Sequence, residues 1–177
     1  VKMEPPYGDI SRATNSPYFL HLNSNKRSIS VNTKTDAGRE IAQRLAAVSD
    51  VMLANMRPGA TDRMGLSRAD LDSYNPTIIE AHTTAFGWSG PFSHRPGVDP
   101  LAQGWMGLQM AQAGHGNPPV FLASLAPTDY TSGGLVALGA IMALYHREKT
   151  GVSQKVDCNL LNAGALLRTD AFMQYEG

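Results

Sequence analysis

Asp129 stands in the run PTDYTSGG (127–134), directly ahead of a long apolar segment. An aspartate there has two possible uses. It can cap the helix that follows, being among the residues favoured at the half-helical first position. It can also act as a carboxylate nucleophile, because a helix N-terminus favours negative charge and would hold the group ionised and aimed at an electrophile. Gly133 and Gly134 would let a bulky ligand approach the backbone. The two uses are compatible. A second set of residues, NMRPGATDR (55–63), places Arg57 and Arg63 just after a short apolar run. If that run is a parallel strand, the arginines lie where ligands settle, beyond its carboxyl end. Two guanidinium groups could then hold phosphates bidentately, or the loop could simply be solvated. His94, Arg95 and Asp99 belong to GWSGPFSHRPGVDP (87–100), a loop too long for a plain connector. Lys26 and Arg27 read as surface charges, and Trp88 and Trp105 as core or loop anchors.

Positioning these side chains requires alternating elements. Residues 5–25 are polar and rich in turn formers, which predicts a loop. Residues 28–32 alternate like a short strand, and Thr35 and Asp36 offer capping oxygens to a helix with Ile41, Leu45 and Val48 on one face. DVMLA (50–54) reads as a buried strand closed by the Arg57-Pro58-Gly59 turn. Ser67 caps a short helix that Asn75-Pro76 breaks, and residues 77–85 give another strand. One helix is predicted from Pro100 to Gln112. A longer one runs from Tyr130 to Arg147, with Leu135, Leu138, Met142 and Tyr145 as an apolar stripe and Ala137, Gly139, Ala140 and Ala143 small enough for a neighbour to approach closely. Residues 154–159 alternate like a strand before a last helix. The rhythm of strand and helix implies crossover connections and a parallel sheet in an α/β fold.

Composition removes several classes. Lys+Arg 15 balance Asp+Glu 15, so the basic excess of a nucleic-acid binder is missing. Hydrophobic residues make up 42%, too many for a disordered chain. No apolar run reaches the roughly 18 residues of a membrane span, and no signal peptide opens the chain. The single cysteine, Cys158, excludes an internal disulfide and fits a reducing compartment, so a soluble cytoplasmic protein is expected. The five histidines lack metal-ligand spacing, and no metal is expected. Neither G-x-G-x-x-G, nor a phosphate loop ending in G-K-[ST], nor a G-x-S-x-G elbow occurs. The chain opens on Val1 and an apolar pattern still runs near Gly177, which reads as part of a longer protein.

Six segments carry a resemblance. VKMEPPYGDISR (1–12), NSNKRSISVNTKTDAGRE (23–40), DVMLANMRPGATDRMGL (50–66), RPGVD (95–99), PTDYTSGG (127–134) and ALYHREKTGVSQKVD (143–157) resemble the class III CoA-transferases. That group contains the formyl-CoA, carnitine-CoA and bile-acid CoA transferases. The likeness runs over essentially all 177 residues, in the family's order. It implies that residues 1–177 form one Rossmann-like N-terminal portion of a large domain. That portion would follow the family's first strand–helix unit and stop before its second half.

The resemblance further implies an interlocked homodimer, with acyl-CoA and a small carboxylic acid as partners. CoA would move between acids through an aspartyl anhydride and an aspartyl-CoA thioester, and the attacking aspartate matches Asp129. The family's CoA contacts fall on Val31, Asn32, Thr33 and Lys34, on Asn55, Met56 and Arg57, on Arg63, and on Arg95, Pro96, Gly97 and Val98. Asn32 departs from the family's usual aspartate. Two other readings stay open: a truncated CoA-binding or oligomerisation domain without turnover, and an α-methylacyl-CoA racemase. The racemases pair an aspartate with a histidine, and Val98 occupies that histidine's position.

Overall fold

The computed structural model describes residues 1–13 and 17–173. β1 (Lys2–Glu4) leads through α1 (Ile10–Ala13) and α2 (Pro17–Asn23) to β2 (Ser28–Ser30). Then come α3 (Asp36–Ala47), β3 (Val51–Ala54), a single 3₁₀ turn at Asp62–Met64, α4 (Arg68–Tyr74) and β4 (Ile79–Thr84). The second half holds α5 (Asp99–Trp105), α6 (Leu108–Ala113), α7 (Pro127–Thr150), β5 (Lys155–Asn159), α8 (Leu160–Leu167) and α9 (Thr169–Phe172). All strand pairing among the described residues is parallel, as the α/β rhythm requires. It falls into two sheets: β1 with β2, and β3–β4–β5 with β4 in the middle.

Local chemistry sets the element boundaries. Thr35 accepts from the Gly38 amide to start α3, and Ser67 with Asp70 forms a reciprocal capping box on α4. The loop expected at 5–25 contains α1 and α2, and the helix expected from Pro100 to Gln112 is two. Gly107 takes φ +71°, a conformation that breaks the helix and that side-chain-bearing residues avoid.

Two helix faces differ from their predicted stripes. On α7 the buried side is Thr128, Ser132, Val136, Ala140 and Ala143, while Leu138, Met142 and Tyr145 are exposed. Small side chains let the helix lie close on the sheet, so size outweighs hydrophobicity in choosing the inner face. On α3 the buried residues are Gly38, Ala42 and Ala46, with Ile41 and Val48 exposed. Beneath α3 and α4 lies a core of Ala42, Ala46, Leu66, Leu71 and Ile78, reached by Met3 from the small sheet and Met52 from the large one. Under α7 lies a second core of Ala81, Val136, Ala140 and Cys158.

The other side of β4 is polar. His82 Nε2 sits 2.6 Å from Glu80 Oε1, both side chains buried, and the Trp88 ring stands edge-on to the imidazole. Burial pushes the Glu80 carboxyl up, but the His82 bond and the charges of Lys155 and Arg68 outweigh it and leave it below the usual range.

Candidate active site

In a parallel sheet all strands end on one edge, and this chain puts its candidate residues on that edge. β2 runs into residues 31–34, β3 into 55–63, and β4 into the loop that carries residues 95–98. α7 leads straight into β5 through 151–154, so it runs against the strands and its first turn returns to the same edge. Past the ends of the neighbouring strands β4 and β5, the Leu161 amide donates to the Ala85 carbonyl.

A groove of about 440 Å3 opens there between the two sheets. Val31, Asn32, Thr33 and Lys34 line one wall, Met56 and Met64 another, and Met3, Pro5, Pro6 and Tyr7 the third. Methionine, proline, valine and tyrosine offer flat apolar surface, and Asn32, Thr33 and Lys34 add polar edges. The Asn32 side chain accepts from the Lys34 amide, so its amide group stabilises the turn of this segment. Asn55, Arg57 and Arg63 are exposed on the adjoining loop. The loop is a tight turn, with the Ala60 amide donating to the Arg57 carbonyl. Nearby, Glu4 is held by Arg12 at 2.7 Å. The Arg12 bond holds its carboxyl at about 2, well below the ordinary value, against a smaller upward push from burial. The lining residues Met3, Pro5, Pro6, Tyr7 and Met64 were not among the predicted contacts. Pro5, Pro6 and Tyr7 fall in the stretch read as loop, and no charge pattern marks any of the five.

A second cluster surrounds Asp129. The helix starts at Pro127 after Ala126, which supplies no side-chain cap, so Asp129 is its third residue and not its cap. Asp129 is exposed. Its carboxyl is pushed above the ordinary value by desolvation and by the charge of Asp99. Those effects outweigh the helix N-terminus, which alone would lower it. Arg95, Pro96 and Val98 are exposed, and the Arg95 guanidinium lies 4.8 Å from the Phe92 ring centre. Phe86, Phe92 and Trp105 stack behind the loop, giving Trp105 the anchoring role expected of it. Trp88 anchors against His82 and under the Lys155 ammonium.

The groove thus collects Val31–Lys34 and Met56, with Arg57 and Arg63 on the adjoining loop. The Arg95–Val98 segment is joined instead to Asp129, through the buried Asp99. Among the described residues no cluster of His, Cys, Asp and Glu could hold a metal ion. No described helix is long and apolar enough to cross a membrane.

Fold and site define a Rossmann-like α/β domain whose loop edge carries its chemistry-bearing residues. The chain belongs to CoA-transferase family III, which matches it over residues 1–177. It is 40% identical to the succinyl-CoA:glutarate CoA-transferase of Mus musculus, over 99% of this chain and 42% of that protein. It is 39% identical to the formyl-CoA:oxalate CoA-transferase of Streptomyces coelicolor, over 92% of this chain and 41% of the relative. Rv3272 from Mycobacterium tuberculosis superposes with a TM-score of 0.90 at 33% identity, covering 97% of this chain and 48% of that one. A CAIB/BAIF family protein from Brucella suis gives 0.85 at 30% identity, over 99% and 51% of the two chains. The chain therefore spans less than half the length of the curated relatives it matches.

Proposed function

We propose that this chain is the N-terminal portion of the large domain of an acyl-CoA:carboxylate CoA-transferase, with Asp129 as nucleophile. The observation that carries the reading is Asp129 itself: an exposed carboxylate on the first turn of α7, with raised basicity, tied through Asp99 to the segment that carries Arg95. The Asp129 oxygen attacks the thioester carbonyl carbon, the C–S bond breaks, and CoA leaves as thiolate from an aspartyl anhydride. The thiolate then attacks the aspartyl carbonyl, releases the donor acid and leaves an aspartyl-CoA thioester. An acceptor carboxylate repeats the two steps in reverse, which restores Asp129 and yields the new acyl-CoA. Partial desolvation under bound thioester strengthens a carboxylate that is a weak nucleophile in water.

The groove suits CoA: its apolar walls fit a ring system, and the exposed Arg57 and Arg63 suit phosphates. Asn55 and the Arg95–Val98 segment complete the contact set. Val98 carries no proton, which weighs against a racemase acid–base pair, and His94 lies exposed on the surface of the loop. The exposed apolar residues of α7 suit burial against a second copy, as in a homodimer, and the single buried Cys158 suits the cytoplasm.

Intact mass spectrometry of the full-length protein, incubated with succinyl-CoA and with formyl-CoA, tests the reading. The expected result is a covalent CoA adduct that disappears in Asp129→Ala. An adduct that persists in Asp129→Ala refutes the nucleophile. CoA binding without any adduct supports a non-catalytic CoA-binding domain.

A further inference from the structure

Asp99 is nearly sealed from solvent, and so are the two side chains bonded to it, Thr128 and Gln103. Burying a carboxylate is costly unless its oxygens are satisfied. Asp99 Oδ1 accepts from the Thr128 amide at 2.8 Å, from the Thr128 hydroxyl at 2.5 Å and from the Asp129 amide at 3.4 Å. Oδ2 accepts from Gln103 Nε2 at 2.5 Å. Gln103 is fixed in turn by the Leu122 amide, which donates to its Oε1 at 2.9 Å.

This arrangement answers a need of α7. The first amides of a helix have no partner within it. Pro127 has no amide hydrogen, Ala126 has no capping side chain, and Asp129 does not cap its own helix. We infer that Asp99 is the positioning residue for Asp129: its carboxylate caps α7 from another helix and ties the Arg95–Val98 segment to the nucleophile. The inference rests on the reading of Asp129 as nucleophile.

One carboxylate thereby performs two tasks. It fixes the backbone of the residue that must meet the thioester carbon. It also puts a fixed negative charge at the helix end, which opposes ionisation of Asp129 and makes its oxygens more basic. Among the described residues, Asp99 is the charged group that acts on Asp129. Asp99 belongs to α5, and beyond Asp129 the Tyr18 ring of α2 lies against Tyr130. Arg168, beyond α8, donates to the Gly107 carbonyl.

The test uses the full-length protein with succinyl-CoA and glutarate, and with formyl-CoA and oxalate. It compares wild type, Asp99→Asn, Asp99→Ala and Asp129→Ala. Asn keeps an oxygen for the Thr128 donors and removes the charge, so it covers the case in which Asp99→Ala does not fold. For Asp99→Asn, kcat falls about tenfold with KM for the acyl-CoA within about twofold, as expected for a group acting on the reacting centre rather than on binding. The acid limb of its kcat–pH profile moves to lower pH, because Asp129 loses the charge that opposes its ionisation. Asp99→Ala, if folded, loses about 10²-fold, the scale of a displaced nucleophile. An unchanged kcat and pH limb in Asp99→Asn, with Asp129→Ala inactive, overturns the role of Asp99 and leaves the nucleophile standing. Full turnover by Asp129→Ala overturns both.

Discussion

Gly38→Ala separates two effects of opposite sign. Gly38 is buried in the first turn of α3, beneath the Val31–Lys34 wall of the groove. A methyl group there would stand 1.9 Å from the Asn32 carbonyl oxygen, 2.6 Å from its carbon and 3.1 Å from Thr35 Oγ1. Carbon and oxygen rest no closer than about 3.3 Å, so the Asn32 backbone would have to retreat by more than about 1 Å. Backbone cannot rotate away as a side chain can. Replacing a helical glycine by alanine stabilises by about 0.5–1 kcal/mol, whereas forcing atoms into a packed site costs about 1–3 kcal/mol. With backbone as the obstacle the clash wins, and a net loss of up to about 2.5 kcal/mol lowers Tm by up to about 10 °C for a chain of this size. Differential scanning calorimetry reads the stability. Titration with CoA reads the groove, whose affinity falls because its wall has moved. A variant more stable than wild type by the helix-propensity increment would mean that the contact does not exist.

Other expectations test different parts of the molecule. Leu71 is fully buried in the α3–α4 core, so Leu71→Ala loses about 2–5 kcal/mol in urea unfolding, against near neutrality for the exposed Val48→Ala. Glu4 falls from an ordinary 4.5 to about 2 on folding. Its contribution is therefore complete above pH 4.5 and is lost as pH falls towards 2. Tm recorded across that range drops less in Glu4→Gln than in wild type, and equal slopes would sink the assignment. If Arg63 grips phosphate, CoA raises Tm more at low salt than at high salt, and Arg63→Ala weakens that response more than Lys26→Ala does. Light scattering at rising concentration shows self-association that diminishes in Ile141→Lys with Tyr145→Lys, both residues being exposed on α7.

Elements with local signals were legible. Ser67 and Asn75 bound α4 through their own hydrogen bonds, and the alternation around Val156 and Cys158 became β5. The inner face of α7 was half legible: the small residues Gly139, Ala140 and Ala143 marked a close approach, and they do lie on the sheet side, but hydrophobic periodicity also marked Leu138, Met142 and Tyr145, which are exposed. The groove was half legible. Arg57 and Val31–Lys34 come from a strand end and a family resemblance, but Tyr7, Pro5 and Pro6 look like any turn until the sheets are assembled. Asp99 was visible as an acid in a long loop. Its hold on Asp129 spans 30 residues of sequence, a distance no local pattern crosses.

The two sheets share no strand pairing among the described residues, and this bears on how the groove behaves when occupied. Its walls meet through Met3, Met52 and Met64 around one core, and methionine packs adaptably. Side chains on both walls can therefore repack around a ligand while the strand ladders within each sheet stay intact. A ligand held by both walls orders the residues that line them, and part of its binding free energy goes into that ordering. Amide exchange should register this as a selective slowing at β1 and β2 on binding, with β4 already protected in the empty protein.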